Sequence, residues 1–301
     1  MQTTAPTSTP APPDIGGSIP PSFRTAGRGP AAQCPVRLGL ALGGGFARGI
    51  AHAGVLKVLE QHHIPIHCIT GISAGAIVAA AYASGASPEA IAHAGCSMRF
   101  GDVGRLSLGR LGLVSSRRMN RFLERLLKTF RFEDMRIPLG VVATDLSTGE
   151  PAPFAGTGSV FEPVRASCAY PGLFEPVVHN GQLLVDGAMS MGIPAALARQ
   201  LGATHVISVT LPAVTPSVLP RNMFQVVTRC FQILQSRSET SWRTETDLEL
   251  APDVRGVEWN AFGCGTRLIQ AGESAARASL GKIQEWFSTG LGLHKSPRIA
   301  A

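Results

Sequence analysis

The sequence predicts an α/β fold built on a mostly parallel central sheet. Short apolar runs alternate along the chain with segments whose apolar residues recur at helical spacing, which is the pattern of strands joined by helices. Two of these runs also end at glycine-rich turns that lead directly into helical segments, as happens where a strand of a parallel sheet passes into its crossover helix. Such a sheet is covered by helices on both faces.

Length and composition place the chain among globular proteins. It has 301 residues, of which 45% are hydrophobic and 16% charged, enough apolar material for a large core. Residues 1–34 differ, because Thr, Pro, Ala, Ser and Gly dominate there without an apolar run long enough for a signal peptide or a membrane span. We predict a disordered leader over 1–34, one domain over 35–290 and a loose tail over 291–301.

Charge and cysteine usage bear on partners and compartment. The formal net charge of +7 favours anionic partners, either a nucleic acid or an acidic membrane surface. The sequence contains no zinc-finger spacing, RNP-like segment or lysine-rich tail, so we expect no nucleic-acid partner. The 6 cysteines show no CxxC spacing and several lie in apolar runs, which indicates reduced core thiols, no metal site and a cytoplasmic protein.

The first strand-to-helix unit contains a glycine loop. A predicted strand over 36–42 stops at the loop Gly-Gly-Gly-Phe-Ala-Arg-Gly (43–49), and helical spacing follows over 50–61. Successive N–H groups at a helix N-terminus form an anion site. The loop lacks the Lys-Ser/Thr ending of a Walker A motif and carries Arg48 where a dinucleotide loop needs its third glycine, which argues against a nucleotide.

Two interpretations of this loop remain. It is either a structural turn or an oxyanion hole whose N–H groups face a tetrahedral intermediate while an arginine fixes the loop. The predicted oxyanion-hole residues are Gly43, Gly44, Gly45 and Arg48.

The second unit carries a Gly-x-Ser-x-Gly turn. An apolar run from Ile66 meets Gly71-Ile72-Ser73-Ala74-Gly75, and a helix of small residues follows over 76–83. A serine on a sharp strand-to-helix turn projects its hydroxyl away from the backbone, and flanking glycines let the strand and helix close together. This predicts a nucleophile elbow with Ser73 as nucleophile and Gly71 and Gly75 as its glycines, although a glycine-rich turn can also be structural.

Further elements follow in order. Ser87 is a predicted N-cap with Pro88 at the first helical position. The other predicted strands are 139–144, 183–185 and 205–211, and the other predicted helices are 161–168, 194–201, 222–236 and 266–287.

One predicted helix has a strongly basic face. It begins at a cap on Ser115 or Ser116 and ends near Phe130. The basic face is either solvated or rests on an anionic membrane. The apolar face is Met119, Phe122, Leu123, Leu126, Leu127 and Phe130; the basic face is Arg117, Arg118, Arg121, Arg125 and Lys128.

A serine nucleophile needs a base, and the histidines do not fit that role. His205 opens an apolar strand, His294 lies in the tail, and the remainder lie before or soon after the elbow without a triad-like setting. A carboxylate acting directly is left, with its pKa raised in a partly dry site. Asp145 and Asp186 both follow strand-like runs, and the residues alone barely separate them.

Five segments together resemble the bacterial patatin-like phospholipase family: 43–49, 71–75, 143–149, 166–174 and 186–188. The resemblance spans about residues 36–286 and implies a three-layer α/β/α patatin-like fold. It also implies a Ser73–Asp186 dyad without cofactor or metal, in which Ser73 attacks the ester, Asp186 transfers the proton and the glycine loop holds the oxyanion. The chain departs from the family's usual Asn-Pro after the dyad acid, since it reads Ser-Met-Gly-Ile-Pro over 190–194, and Ala188 replaces a glycine.

The resemblance implies a serine acyl hydrolase that acts on phospholipids or other lipid esters. The alternative is a catalytically silent lipid- or protein-binding regulator on the same fold. Retention of Ser73, Asp186 and the glycine loop argues against that alternative. We expect a cytoplasmic protein with possible peripheral contact to an anionic membrane.

Overall fold

A computed structural model describes residues 35–107, 111–211, 219–220, 223–238 and 241–290. The predicted leader over 1–34 and the predicted tail over 291–301, which includes His294, lie outside the described residues.

The described elements follow the predicted alternation of strands and helices. The strands are β1 (Leu38–Leu42), β2 (Ile66–Gly71), β3 (Arg105–Leu106), β4 (Val114–Ser115), β5 (Leu139–Asp145), β6 (Pro151–Ala155), β7 (Val177–His179), β8 (Gln182–Asp186), β9 (His205–Val209) and β10 (Leu248–Leu250). The α-helices are α1 (Ala51–Gln61), α2 (Ala74–Ala83), α3 (Pro88–Ser97), α4 (Phe100–Val103), α5 (Arg118–Leu126), α6 (Phe161–Ser167), α7 (Ala195–Gln200), α8 (Met223–Ser238) and α9 (Gly265–Gly290).

The central sheet is mostly parallel, as predicted. Its strand order is β10-β9-β1-β2-β5-β8-β7, and β6 also pairs with β5. From β10 through β9, β1 and β2 to β5, each strand is parallel to the next one in the sheet. Strands β8 and β6 both run antiparallel to β5, and β7 runs antiparallel to β8. The small hairpin β3-β4 stands apart from this sheet.

Helices cover both faces of the sheet, which gives three layers. Alternate residues of each strand point to opposite faces, so β1 places Leu40 in a core with α1, α2 and α9 and places Ala41 in a second core with α7. On β5, Val142 faces α7 through Leu197. Helices α1, α2 and α9 therefore cover one face of the sheet, and α7 covers the other.

Five strands are absent from the predicted elements: the two-residue strands β3 and β4, and β6, β7 and β10. In β6 the reason is composition: Pro151 and Pro153 cannot donate to a ladder, and proline in a run argues against a strand except at an edge. β6 pairs antiparallel with β5. Three-residue strands such as β7 and β10 are too short to show a periodicity of their own.

The basic helix was predicted too long at both ends. It runs from Arg118 to Leu126, and the Ser116 hydroxyl is not its cap, since that hydroxyl is buried and accepts from Arg165 Nε at 3.4 Å. At the other end Leu127 is extended, and the N–H of Lys128 binds the Ser84 hydroxyl at 3.0 Å, which draws the chain away from the helix. Phe130 is therefore 41% exposed instead of belonging to the buried face.

Other local predictions have mixed outcomes. The Ser87 hydroxyl accepts from the N–H of Ala90 at 3.2 Å, with Pro88 at the first helical position, so this cap is confirmed. The cysteines only partly follow the expected burial, because Cys68 is buried whereas Cys96 is exposed. Among the described helices, none has the length and apolar character needed to span a bilayer.

Candidate active site

Ser73 lies on a strained turn between β2 and α2. Its backbone angles, φ 55° and ψ −125°, are sparsely populated by residues other than glycine. The flanking glycines make the turn possible: a Cβ on Gly75 would lie 2.7 Å from the Gly43 carbonyl oxygen, and one on Gly71 would lie 2.6 Å from the Ala76 nitrogen. Strand and helix therefore close tightly around the serine, as the elbow pattern predicts.

Strand order brings Asp186 to the same place. Strand β6 occupies one edge of β5 over Gly140–Thr144, so β2 and β8 must share the other edge. The two strands run in opposite directions there, and their carboxyl ends meet on either side of Val142: Gly71 pairs with Val141, and Asp186 pairs with Ala143. Ser73 follows two residues after β2 ends, which places it beside Asp186.

The carboxyl group of Asp186 is buried, with 1% of the residue exposed. Its Oδ1 accepts from the N–H of Ala188 at 2.9 Å, while Oδ2 is buried and has no hydrogen-bond partner of ordinary geometry among the described residues. Burial raises the pKa of Asp186 to about 7, against the lowering effect of the Ala188 N–H and then of the Ser73 hydroxyl. The Ser73 hydroxyl thus lies close enough to influence the carboxylate, although the pair falls outside ordinary hydrogen-bond geometry.

Asp145, the other candidate acid, lies elsewhere and is tied down. It pairs with Leu184, three residues beyond Val142 and hence about 10 Å along β5. Its Oδ1 accepts from the N–H of Ser147 at 2.8 Å, and its Oδ2 accepts from Gln182 Nε2 at 2.9 Å. The Ser147 N–H is the main cause of a pKa lowered from its ordinary value. A carboxylate held this way is a poor base.

The glycine loop begins beside Ser73. A Cβ on Gly44 would lie 3.2 Å from Ser73 Cβ, so this residue approaches the serine closely. Among the described residues, the N–H groups of Gly44 and Gly45 have no hydrogen-bond partner. The N–H of Gly43 donates to the Val209 carbonyl at 3.0 Å. Gly43 was predicted to donate its N–H to the oxyanion, but that N–H is already bound.

Arg48 supports the loop from within the protein. It is 7% exposed, and its Nε donates to the Gly45 carbonyl at 3.4 Å while its own N–H reaches the same oxygen at 3.1 Å. Burial lowers the pKa of Arg48. These contacts fit the predicted loop-fixing position of the arginine.

Two residues that contact the site are not among the predicted site residues. Ser167 Oγ accepts the N–H of Ser73 at 2.9 Å and donates to the Val142 carbonyl at 2.6 Å. His52 Nε2 contacts the Gly43 carbonyl at 2.9 Å. Ser167 lies inside the segment 166–174, so the resemblance pointed to its neighbourhood, whereas His52 carried no comparable signal.

The histidines do not supply a triad in the described residues, where none is hydrogen-bonded to Ser73 or Asp186. His205 opens β9 as predicted and packs against Trp286, with ring centroids 4.9 Å apart. The described residues also hold no group of three or more His, Cys, Asp or Glu side chains that could bind a metal ion.

An open cleft of about 830 Å³ lies near the loop. Its walls include Phe100, Leu173, Trp259 and Phe262. The ring of Phe46, the residue after Gly45, packs edge-on against Trp259 with centroids 5.0 Å apart. Polar side chains, Ser97, Arg99 and Asn260, also line the cleft. A space with both apolar and polar walls therefore borders the glycine loop.

Comparison with known proteins gives matches of sequence and of structure. Residues 40–199 match the family model described as patatin-like phospholipase. The chain is 29% identical over 233 residues to Lysophospholipase NTE1 of Mycosarcoma maydis, covering 74% of this chain and 12% of that protein. It is 31% identical over 271 residues to an uncharacterized NTE family protein of Mycobacterium tuberculosis, covering 81% of this chain and 46% of that one. The chain thus spans less than half the length of these relatives.

Among solved structures, VipD from Legionella pneumophila superposes with a TM-score of 0.53 at 13% identity. The match covers 83% of this chain and 67% of that one. At that identity the likeness concerns the fold alone.

Proposed function

This chain belongs to the patatin-like phospholipase family, and we propose that it is a serine acyl hydrolase that cleaves ester bonds of phospholipids or related lipids through Ser73 and Asp186. One observation carries the proposal: a buried carboxylate, one of whose oxygens has no hydrogen-bond partner of ordinary geometry among the described residues, lies beside a serine on a strained strand-to-helix turn. A buried carboxylate whose charge no cation offsets is costly, and such groups cluster at functional sites.

The chemistry uses one proton and two residues. Asp186 takes the Ser73 proton as Oγ attacks the ester carbonyl carbon, and the carbonyl oxygen becomes an oxyanion. Collapse of this intermediate breaks the carbon–oxygen bond to the alcohol, which leaves with the proton from Asp186. Water then attacks the acyl-enzyme, gives a proton to Asp186, and releases the fatty acid as that proton returns to Ser73. A base with a pKa near 7 is suited to such two-way transfer.

The glycine loop supplies the oxyanion site in this mechanism. The N–H groups of Gly44 and Gly45 are free of partners among the described residues and lie on the loop that approaches Ser73. A preorganised N–H donor aimed at developing charge contributes about 10²–10³ in rate. Helix α2 begins at Ala74, so its positive end also faces the charge that develops beside Ser73.

The family and the cleft support a lipid ester as the substrate class. The relative from Mycosarcoma maydis is named a lysophospholipase, so single-chain phospholipids are the first substrates to test. The aromatic side of the cleft, where Trp259 packs against Phe46, offers a place for the acyl chain. The cysteine pattern favours the cytoplasm, and the exposed basic residues favour peripheral contact with an anionic membrane surface.

The test is labelling combined with turnover. A fluorophosphonate probe is expected to label the wild-type protein, with the adduct on Ser73 by mass spectrometry, and chromogenic esters, diacyl phospholipids and lysophospholipids are assayed in parallel. Ser73→Ala is expected to abolish both labelling and hydrolysis while the circular dichroism spectrum stays unchanged. A folded wild-type protein that takes no label and turns over none of these substrates would favour the silent regulator.

A further inference from the structure

A buried histidine binds the first residue of the glycine loop. His52 lies in the first turn of α1 and is fully buried. Its Nε2 is 2.9 Å from the Gly43 carbonyl oxygen. A carbonyl oxygen only accepts, so Nε2 carries the hydrogen and Nδ1 is bare. Nδ1 is also buried, without a hydrogen-bond partner among the described residues, and burial lowers the pKa of His52 to about 4.

This contact controls the direction of a neighbouring N–H. The carbonyl of Gly43 and the N–H of Gly44 belong to one planar trans peptide, in which they point in opposite directions. The N–H of Gly43 is held on its own side by the Val209 carbonyl at 3.0 Å. With both polar groups of Gly43 bound, the Gly44 N–H must point away from His52.

Gly44 is the loop residue that approaches the nucleophile. A Cβ on Gly44 would lie 3.2 Å from Ser73 Cβ and 3.9 Å from Ser73 Oγ. Its N–H has no hydrogen-bond partner among the described residues. An unpartnered donor beside a serine hydroxyl is what an oxyanion intermediate requires.

We propose that His52 is a positioning residue for ester hydrolysis, which binds the Gly43 carbonyl and thereby turns the Gly44 N–H toward the oxyanion formed at Ser73. The inference rests on the proposed acyl hydrolase activity. His52 takes no part in the proton transfer, because its Nε2–H is bound to the Gly43 carbonyl, its bare Nδ1 is buried, and neither nitrogen is hydrogen-bonded to Ser73 or Asp186 among the described residues.

Three variants test the role. His52→Leu removes the donor and keeps similar bulk, His52→Gln keeps an amide donor that reaches about as far as Nε2, and His52→Asn keeps the amide on a shorter side chain. The readouts are kcat, KM for a soluble ester, and the inhibition constant of a trifluoromethyl ketone, which becomes a tetrahedral oxyanion on Ser73. Trp242→Phe is the control, because Trp242 is also buried, its nitrogen has no partner among the described residues, and it packs in the core beside α7.

His52→Leu is expected to lower kcat by about 10- to 100-fold, with KM changed less than about threefold. Trifluoromethyl ketone inhibition should weaken by a factor similar to that in kcat. His52→Gln should restore most of both losses, and Trp242→Phe should alter neither at matched folded concentration. Should His52→Leu fail to fold, the comparison of Gln with Asn decides, since only Gln reaches the carbonyl.

Two outcomes overturn the proposal while leaving the acyl hydrolase function in place. Wild-type ketone affinity and kcat in folded His52→Leu would make His52 a structural residue only, and so would equal activity of the Gln and Asn variants. Both outcomes presuppose an active wild-type enzyme. Lack of wild-type hydrolysis and labelling overturns the acyl hydrolase function itself, and with it this inference.

Discussion

The main-chain N–H of Ser73 is bound by the side chain of Ser167, whose hydroxyl oxygen lies 2.9 Å away. The same hydroxyl donates to the Val142 carbonyl at 2.6 Å, in the gap where β2 and β8 both end along β5. Ser167 is fully buried. The strained backbone of the proposed nucleophile is therefore tied by one hydroxyl to the strand that organises the site.

Removing that hydroxyl should harm both stability and turnover. Ser167→Ala leaves the Ser73 N–H and the Val142 carbonyl buried without this partner, which costs about 1–3 kcal/mol for each unsatisfied group. We expect a lower urea midpoint and a kcat reduced at least about tenfold at matched folded concentration, because the elbow loses its support. Ser208→Ala is the matched control, because Ser208 lies on β9 and its buried hydroxyl is hydrogen-bonded to Thr246 Oγ1 at 2.7 Å. Unchanged kcat in folded Ser167→Ala would contradict the elbow-supporting role.

The two acids should behave differently on conversion to asparagine. Asp186→Asn is expected to abolish turnover of a soluble ester while the protein stays folded, because an amide cannot take the serine proton. Asp145→Asn should act mainly on stability, since its carboxylate binds Ser147 and Gln182. That stabilisation is present above the ordinary pKa of the acid and lost as pH falls through its lowered folded value. Activity lost in Asp145→Asn but kept in Asp186→Asn would reverse the assignment.

The pH profile should report the proposed base. Asp186 must be ionised to accept the proton, and its pKa is raised to about 7 by burial. The value of kcat/KM for a non-ionising ester should therefore rise with pH up to about 7 and level off above it. A base with the lowered pKa of Asp145 would instead give a flat profile through this range. The experiment is an initial-rate series from pH 5 to about 9.

The same acid should destabilise the fold at neutral pH. The pKa of Asp186 rises from 3.8 to about 7 on folding, so between these values the folded protein holds the proton more tightly and the free energy of unfolding falls as pH rises. The full effect is on the order of 4 kcal/mol at about 1.4 kcal/mol per pKa unit. Asp186→Asn should therefore melt above wild type at pH 8, with the gap closing near pH 4. A gap independent of pH would contradict the raised pKa.

The basic surface of α5 should contribute to membrane binding. Four arginines in or next to this helix are exposed: Arg117, Arg118, Arg121 and Arg125. Leu113, which lies just before β4, is also 57% exposed. Each cation near an anionic surface contributes about 1 kcal/mol. Replacing the four arginines by glutamine should weaken binding to phosphatidylserine vesicles at least about tenfold in low salt, with little change in soluble-ester turnover.

The matched control for α5 removes four cations elsewhere. It replaces Arg255, Arg267, Arg277 and Lys282, all exposed, by glutamine. Equal losses of vesicle binding in the two variants would attribute the effect to net charge, and no loss in either would leave the α5 face merely solvated.

Much of the fold was predictable because its signals are local. The buried strands β1, β5 and β9 are short apolar runs, and the cap at Ser87 needs only a few neighbouring residues. Where a local signal was weak or misleading, the prediction failed. Prolines hid β6, and the continuing apolar spacing after Leu126 suggested a longer helix than the contact between Lys128 and Ser84 allows.

The sequence by itself determined the strand-helix alternation, the elbow at Ser73 and the glycine loop, because turn chemistry and apolar spacing are properties of neighbouring residues. The family resemblance implied Asp186 as the acid, but the residues taken alone did not separate it from Asp145, and only the tertiary structure gives the physical reason that Asp186 lies beside Ser73 and shows which side chains support the loop and elbow. Asp145 and Asp186 both end strands in the sequence, but β6 excludes β8 from one edge of β5 and forces its end to face that of β2. Strand order and direction depend on contacts between residues far apart in the chain, as do the bonds of Ser167 and His52, and no local pattern records them.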